Sequence, residues 1–257
     1  MAIFRGEMKT IFYAVLLIVF VSLPSPAQDD WRWPDKPKNL QVLNKDWPGS
    51  RLSPVMRGFT RALGVRCTYC HVGEEGKPLS TYDFVSDDNP NKDRAREMLR
   101  MLGSVNDQLK KIKSSSDKRV NMWCHTCHRG RPRPMTLAEE LGEKNRLNGP
   151  RAMVAHYGDL KQRFLQKGAY DFSERTLNDF GYELLASGDT TGAISILALN
   201  TEQFSDSPNA WDSLGEVSMK SGQMQKAAEC YQKVLTLDPN HENAKKMLQA
   251  IKDSHKQ

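Results

Sequence analysis

Apolar residues recur along this chain at helical spacing, in runs separated by glycine, proline and polar breaks. Leu52, Val55, Met56, Phe59 and Leu63 fall on one face of a helix predicted over Arg51 to Leu63, which Gly64 ends. Ala95, Met98, Leu99, Leu102, Val105 and Leu109 form the apolar stripe of a second helix predicted over Lys92 to Ile112, with arginine and lysine opposite. Thr136 to Gly168 is periodic again, interrupted at Asn148-Gly149-Pro150. Two stretches break the helical pattern. Residues 28–50 hold Trp31, Trp33 and Trp47 among prolines, which predicts an irregular lead-in that lays its indoles against the rest. Gly73 to Asn91 is a polar loop ending in Asp87-Asp88-Asn89-Pro90. The expected class is mostly α.

A repeat of 34 residues occupies the C-terminal third. Leu177, Phe180, Gly181, Leu184, Gly188, Ala193 and Leu197 return as Trp211, Leu214, Gly215, Ser218, Gly222, Ala227 and Tyr231, and Pro239 closes the second unit. The W-x-x-L-G, alanine, aromatic, proline pattern resembles the tetratricopeptide repeat, in which paired helices stack into a solenoid. His241 to Ser254 is expected as a capping helix. The resemblance implies a docking surface for partner proteins, with no redox part, so that residues 174–257 are expected to be removable without touching the chemistry upstream.

The N-terminus reads as a secretory signal peptide. Arg5 and Lys9 precede an apolar run from Ile11 to Val21, then small residues up to Ala27, where cleavage is expected. That run is short for a bilayer span. The mature chain is expected in the periplasm, possible membrane-surface association included. Charge is uneven: from Glu174 onward there are 8 Lys and Arg against 12 Asp and Glu, a net of −4, so with +6 overall the part upstream carries +10. A basic front and acidic tail suit an acidic redox partner or anionic lipid heads. Nucleic-acid readout is not expected of an exported chain of this kind.

Against this frame, one pentad stands out because it occurs twice. Cys67-Thr-Tyr-Cys70-His71 and Cys124-His-Thr-Cys127-His128 are both C-x-x-C-H, 57 residues apart, each preceded by a helix and a loop. Two cysteines three apart face one way on a helical turn, so both sulfurs can bond the two vinyl groups of one porphyrin. The histidine that follows lies under the ring as an iron ligand. Two covalent c-type haems are therefore expected, held by Cys67, Cys70, Cys124 and Cys127, with His71 and His128 as proximal ligands. A disulfide reading leaves the trailing histidines without a purpose. A zinc site is disfavoured by the wide gap from Cys70 to Cys124. The fifth cysteine, Cys230, falls in the repeat and is expected as a small buried hydrophobe.

The far side of each iron decides between electron transfer and small-molecule chemistry. Met56 lies on the helix before the first pentad, and Met98 and Met101 lie on the helix before the second. A methionine on an apolar stripe is also ordinary core filling. His156 is the rival among the histidines.

The segment M-R-G-F-T-R-A-L-G-V-R-C-T-Y-C-H, and R-E-M-L-R-M followed by V-N-M-W-C-H-T-C-H-R-G, resemble units of the cytochrome c subunit of photosynthetic reaction centres, over about Lys38 to Pro134. The resemblance implies an axial methionine on each upstream helix: Met56 for the first haem and Met98 for the second, with Met101 as the fallback. The family subunit has four haems and this chain two. The division that follows is a signal peptide (1–27), a lead-in (28–50), a di-haem domain (51–135), a helical linker (136–173) and a tetratricopeptide tail (174–257). Its expected activity is electron transfer between redox partner proteins. The competing class is a haem enzyme, a peroxidase or small-molecule reductase, with one iron open to solvent. Arg129, Arg131 and Arg133 pair with haem propionates or form a solvated basic turn.

Overall fold

The computed structural model describes residues 31–112 and 120–254, so the expected signal peptide lies outside the described residues. Within them the architecture is mostly α, with ten α-helices, no strand and a single isolated bridge between Val72 and Asp83.

The lead-in runs without helix to Pro48 and delivers its tryptophans as expected. Trp31 lies 4.8 Å from the Phe84 ring and meets Trp33 edge-on at 6.4 Å, while the Arg51 guanidinium sits 4.7 Å over Trp47. Helix α1, Gly49–Leu63, follows at once. It starts at a glycine because the lead-in passes so close: a Cβ on Gly49 would come within 2.3 Å of the Pro34 carbonyl. It stops at Gly64, whose φ of 67° is the left-handed conformation a helix terminus favours.

Helix α2, Pro90–Leu109, is capped by the Asn89 side chain and begins with proline at its first position. It is shorter than the predicted helix by one turn at its far end. Helix α3, Cys124–His128, is the second pentad itself. Helices α4, Leu137–Asn148, and α5, Pro150–Phe164, are separated where Asn148-Gly149-Pro150 predicted a break. Thr136 and Glu139 form a reciprocal capping box on α4.

The repeats fold as α6 (Glu174–Ala186), α7 (Thr190–Gln203), α8 (Pro208–Lys220) and α9 (Met224–Leu237), capped by α10 (Glu242–Ser254). The recurring glycines earn their positions by packing. A Cβ on Gly181 would strike Leu197 at 2.6 Å, and one on Gly215 would press on Tyr231 at 3.1 Å. Both pairs are related by the 34-residue period. Cys230 is buried as expected, its thiol pushed up to about 11, chiefly by burial.

The segment 136–173 shares its core with the repeats. Leu137, Leu141, Met153, Tyr157, Leu160 and Phe164 are buried in one cluster with Leu177, Phe180, Ile196, Leu197, Leu214 and Val217. Helices α4 and α5 thus stack as a further hairpin beneath α6 and α7. A second cluster, Ala227, Tyr231, Val234, Ala244 and Ile251, joins α9 to α10.

The front of the molecule is tied together differently, by backbone contact. The Gly130 N–H donates to the Ala62 carbonyl at 2.8 Å, and a Cβ on Gly64 would come within 2.1 Å of the Gly130 oxygen. This clamp joins the end of α1 to the residues just after α3. Gly64→Ala therefore combines left-handed strain of roughly 1–2 kcal/mol with a backbone collision. Gly130→Ala, whose φ is 82° but whose Cβ meets nothing, carries the strain alone. Denaturant titration is expected to show Gly64→Ala the more destabilised of the two; equal losses would remove the clamp from the account.

Candidate functional site

Both pentads fold as the single turns their spacing predicts. Cys67–Tyr69 is a 3-10 turn, and the amides of Cys70 and His71 both donate to the Cys67 carbonyl, at 3.2 and 3.0 Å. That places Cys67, Cys70 and His71 on one turn. Cys124, Cys127 and His128 share α3, whose start is fixed by Thr126: its hydroxyl accepts from the Trp123 N–H at 3.0 Å. All five cysteines are free thiols. Burial, then the neighbouring Cys67, pushes the Cys70 thiol up, and burial does the same for Cys124.

Each histidine is held by its surroundings. The His71 ring lies edge-on to Phe84 at 5.0 Å, and Phe84 stacks with Tyr82 at 5.7 Å. Burial, then the charges of Lys92 and Arg96, pushes the His71 imidazole down to about 4. It is therefore neutral near pH 7, the form that ligates metal. His128 donates its Nδ1–H to the Arg131 carbonyl at 2.9 Å, because a carbonyl can only accept. This leaves Nε2 as the bare nitrogen.

The loop over His71 is buckled by charge. Lys92 donates to the carbonyls of Phe84, Val85 and Ser86, and both Lys92 and Arg96 pair with Asp87. Asn39, at a φ of 62°, donates to Val85 and Asp87 and so ties the lead-in to the same loop. The Arg96 hydrogen bond, above all, holds the Asp87 carboxyl well below the usual carboxylate range.

Helix α2 bridges the two pentads. At its start Asn89 and Asn91 donate to the carbonyls of Thr68 and Tyr69. Near its end Asn106 clasps Met122 both ways, at 2.8 and 3.0 Å, just before the second pentad. Helix α1 packs on α3, with Phe59 stacked 5.8 Å from Trp123.

The candidate distal ligands sit less uniformly. Met56 is half-buried on α1. Met98 and Met101, one turn apart on α2, are 43% and 54% exposed. Arg96 is the one buried residue of that helix, so most of its apolar stripe stands at or near the surface. His156 is engaged elsewhere, with Nε2 3.6 Å from Glu140 between α4 and α5.

Sequence reasoning missed the partners of the three arginines. Arg129 donates to the Gly168 carbonyl at 2.9 Å, Arg133 pairs with Glu143 at 2.8 Å, and Arg131 is buried, donating to the Met135 carbonyl. The Asn106 clasp was equally hidden, since nothing local marks an asparagine that reaches 16 residues ahead.

The residues present fit a c-type haem at each pentad. Each turn offers two free thiols and a neighbouring imidazole, and an open cleft beside Cys67 is lined by Val65, Leu79 and Tyr82 together with the charged Arg66, Glu75 and Lys77. His71 Nδ1 and Arg131 Nε are buried polar atoms without a hydrogen-bond partner. Among the described residues no group of three or more His, Cys, Asp or Glu is arranged to hold a metal ion. The sequence model of the family described as photosynthetic reaction centre cytochrome C subunit matches residues 24–156, which include both pentads and α1 to α4. That described as tetratricopeptide repeat matches residues 208–241, spanning α8 and α9. A comparison with curated proteins finds no match.

Proposed function

Because this chain belongs to the photosynthetic reaction centre cytochrome c subunit family, we propose that it is an exported, periplasmic electron carrier with two covalent c-type haems. The observation that carries this reading is the pair of one-turn pentads, each with two free thiols and a histidine on the same turn. Bound haem supplies reversible one-electron chemistry. Cys67 and Cys70 anchor the first haem and Cys124 and Cys127 the second, with His71 and His128 as proximal ligands. Met56 and Met98 would supply a thioether ligand to one haem each, and Met101 is the alternative to Met98. Phe84, Tyr82 and Trp31 keep water from the His71 side, and the Asp87 buckle holds that loop closed. The tetratricopeptide unit suggests protein–protein interaction. In our reading it docks a redox partner protein, while the basic front gives the chain an affinity for anionic membrane surfaces. Neither role calls for nucleic acid.

With a histidine and a methionine held to each haem, neither iron would be open to substrate. Oxidised protein is then expected to show the weak near-infrared band of histidine–methionine coordination. Met56→Ala should remove part of it and lower one midpoint potential, since a thioether ligand favours the reduced state. Met98→Ala should do the same for the other haem. A silent Met98→Ala with an active Met101→Ala shifts the ligand by one turn. The exposure of Met98 and Met101 favours one second reading, a haem enzyme with an open iron. Rapid carbon monoxide binding to the reduced native protein would establish that reading and end the electron-carrier one.

A further inference from the structure

The two proximal histidines are held by unlike devices. His71 lies against Phe84, and its Nδ1 is buried with no partner. His128 is held by a hydrogen bond from Nδ1 to the carbonyl of Arg131, three residues on, and the Arg131 N–H returns to the His128 carbonyl at 3.0 Å. The placement of the Arg131 backbone therefore sets the tilt and the tautomer of the His128 ring. A carbonyl that accepts from the other ring nitrogen orients a ligating histidine and raises its basicity.

What places Arg131 is its side chain. The residue is only 7% exposed, which is rare for arginine. Its guanidinium carbon lies 4.1 Å over the centre of the Tyr170 ring, and Nη1 donates to Met135. A desolvated cation over an aromatic face is held by the ring quadrupole, and arginine adds planar stacking that lysine lacks. Tyr170 is itself fixed, edge-on to Phe164 at 5.4 Å and to Phe172 at 5.9 Å, and Phe172 meets Tyr157 at 5.7 Å. Tyr157 and Phe164 belong to the core that α5 shares with α7. The path from the solenoid to the His128 ring is thus continuous: core, Tyr170, Arg131 guanidinium, Arg131 carbonyl, imidazole. The ring contact of His71 is instead with Phe84, on the loop before α2.

We propose that Arg131 is the positioning residue of the second haem's proximal histidine, through which the helical solenoid fixes that ring and tunes that haem alone. The inference rests on the di-haem reading. It gives the segment after the pentads a part in setting a redox centre, beyond docking.

The test uses full-length holoprotein, with mass spectrometry confirming two haem additions in every variant compared. Potentiometric titration and ferric electron paramagnetic resonance are followed for both haems, with signals assigned from variants that keep one pentad. Arg131→Ala and Tyr170→Leu are expected to shift the midpoint potential and broaden the resonance of the His128 haem and to leave the His71 haem in place. Tyr170→Phe, which keeps the ring face, is expected to stay near the native values, and Arg131→Lys to fall between. Should Arg131→Ala fail to fold, the Tyr170 pair and Arg131→Lys decide. Unmoved potentials at the His128 haem, or equal shifts at both haems, would overturn the proposal. Failure of the underlying reading shows separately, as native protein without a second haem addition.

Discussion

Mature protein from a host with cytochrome c maturation is expected to carry two haem additions by mass spectrometry. The paired substitution Cys124→Ala/Cys127→Ala should carry one, as should Cys67→Ala/Cys70→Ala. The physical ground is that each pentad is complete within one turn. In our reading both thiols and the imidazole of a pentad would serve one ring without help from the other pentad, since the amides converging on the Cys67 carbonyl and the helix of Cys124–His128 put them on one turn. Replacing a single cysteine leaves one thioether, so haem should survive denaturation with a shifted absorption; replacing both leaves only a coordination bond that denaturant breaks. The two losses should differ in their wider effect. The first pentad lies under a loop secured by Lys92, Arg96, Asp87 and Asn39. The second is anchored through its arginines to α4 and the Gly168–Tyr170 turn. A native mass with one or no haem addition would defeat the di-haem reading outright.

Much of this architecture was legible because local chemistry repeats it. Gly64 ends α1 in the left-handed conformation, Asn89-Pro90 opens α2, and Gly149-Pro150 divides α4 from α5, each a backbone constraint visible in the residue itself. The repeat was readable for the same reason: Gly181 under Leu197 and Gly215 under Tyr231 are one packing requirement written twice. The pentads carry their own geometry in their spacing. Contacts between distant segments left no such trace. Asn39 reaching Asp87, Asn106 clasping Met122, and Gly64 against Gly130 join residues whose local sequence is ordinary. A run of arginines such as Arg129, Arg131 and Arg133 points to propionates or to a solvated turn, because a charge run advertises water or anions. Their partners in the fold, two carbonyls, a ring face and Glu143, had no such sign. The 34-residue repeat places the tail from Glu174, but a repeat marks where a unit recurs and says nothing about which core its helices join.

That shared core makes the second large effect a consequence of truncation. Ending the chain after Ser173 is expected to unfold more than it removes. The deletion strips Leu177, Phe180, Ile196, Leu197 and Leu214 from the face formed by Leu141, Met153, Tyr157, Leu160 and Phe164. Losing a single large buried side chain costs about 2–5 kcal/mol, and a whole domain is stable by only about 5–15 kcal/mol. Two helices with one bared face cannot stand against that loss, so circular dichroism should show helix missing beyond the deleted residues. The damage should then travel to one haem. With 136–173 unfolded, Gly168, Tyr170 and Glu143 no longer hold Arg129, Arg131 and Arg133, and the His128 ring loses its fixed acceptor. The His71 haem, enclosed by Phe84 and the Asp87 buckle, should keep its spectrum. Ending the chain after Pro239 is the contrasting case. It removes α10 and bares Ala227, Tyr231 and Val234 of the second cluster with their neighbours Trp211, Met219 and Met224, and should leave the α4–α8 core and both haems in place. If truncation after Ser173 leaves both haem spectra and the remaining helix intact, the tail is a separable docking module, as its sequence first suggests, and the solenoid has no hold on the second haem.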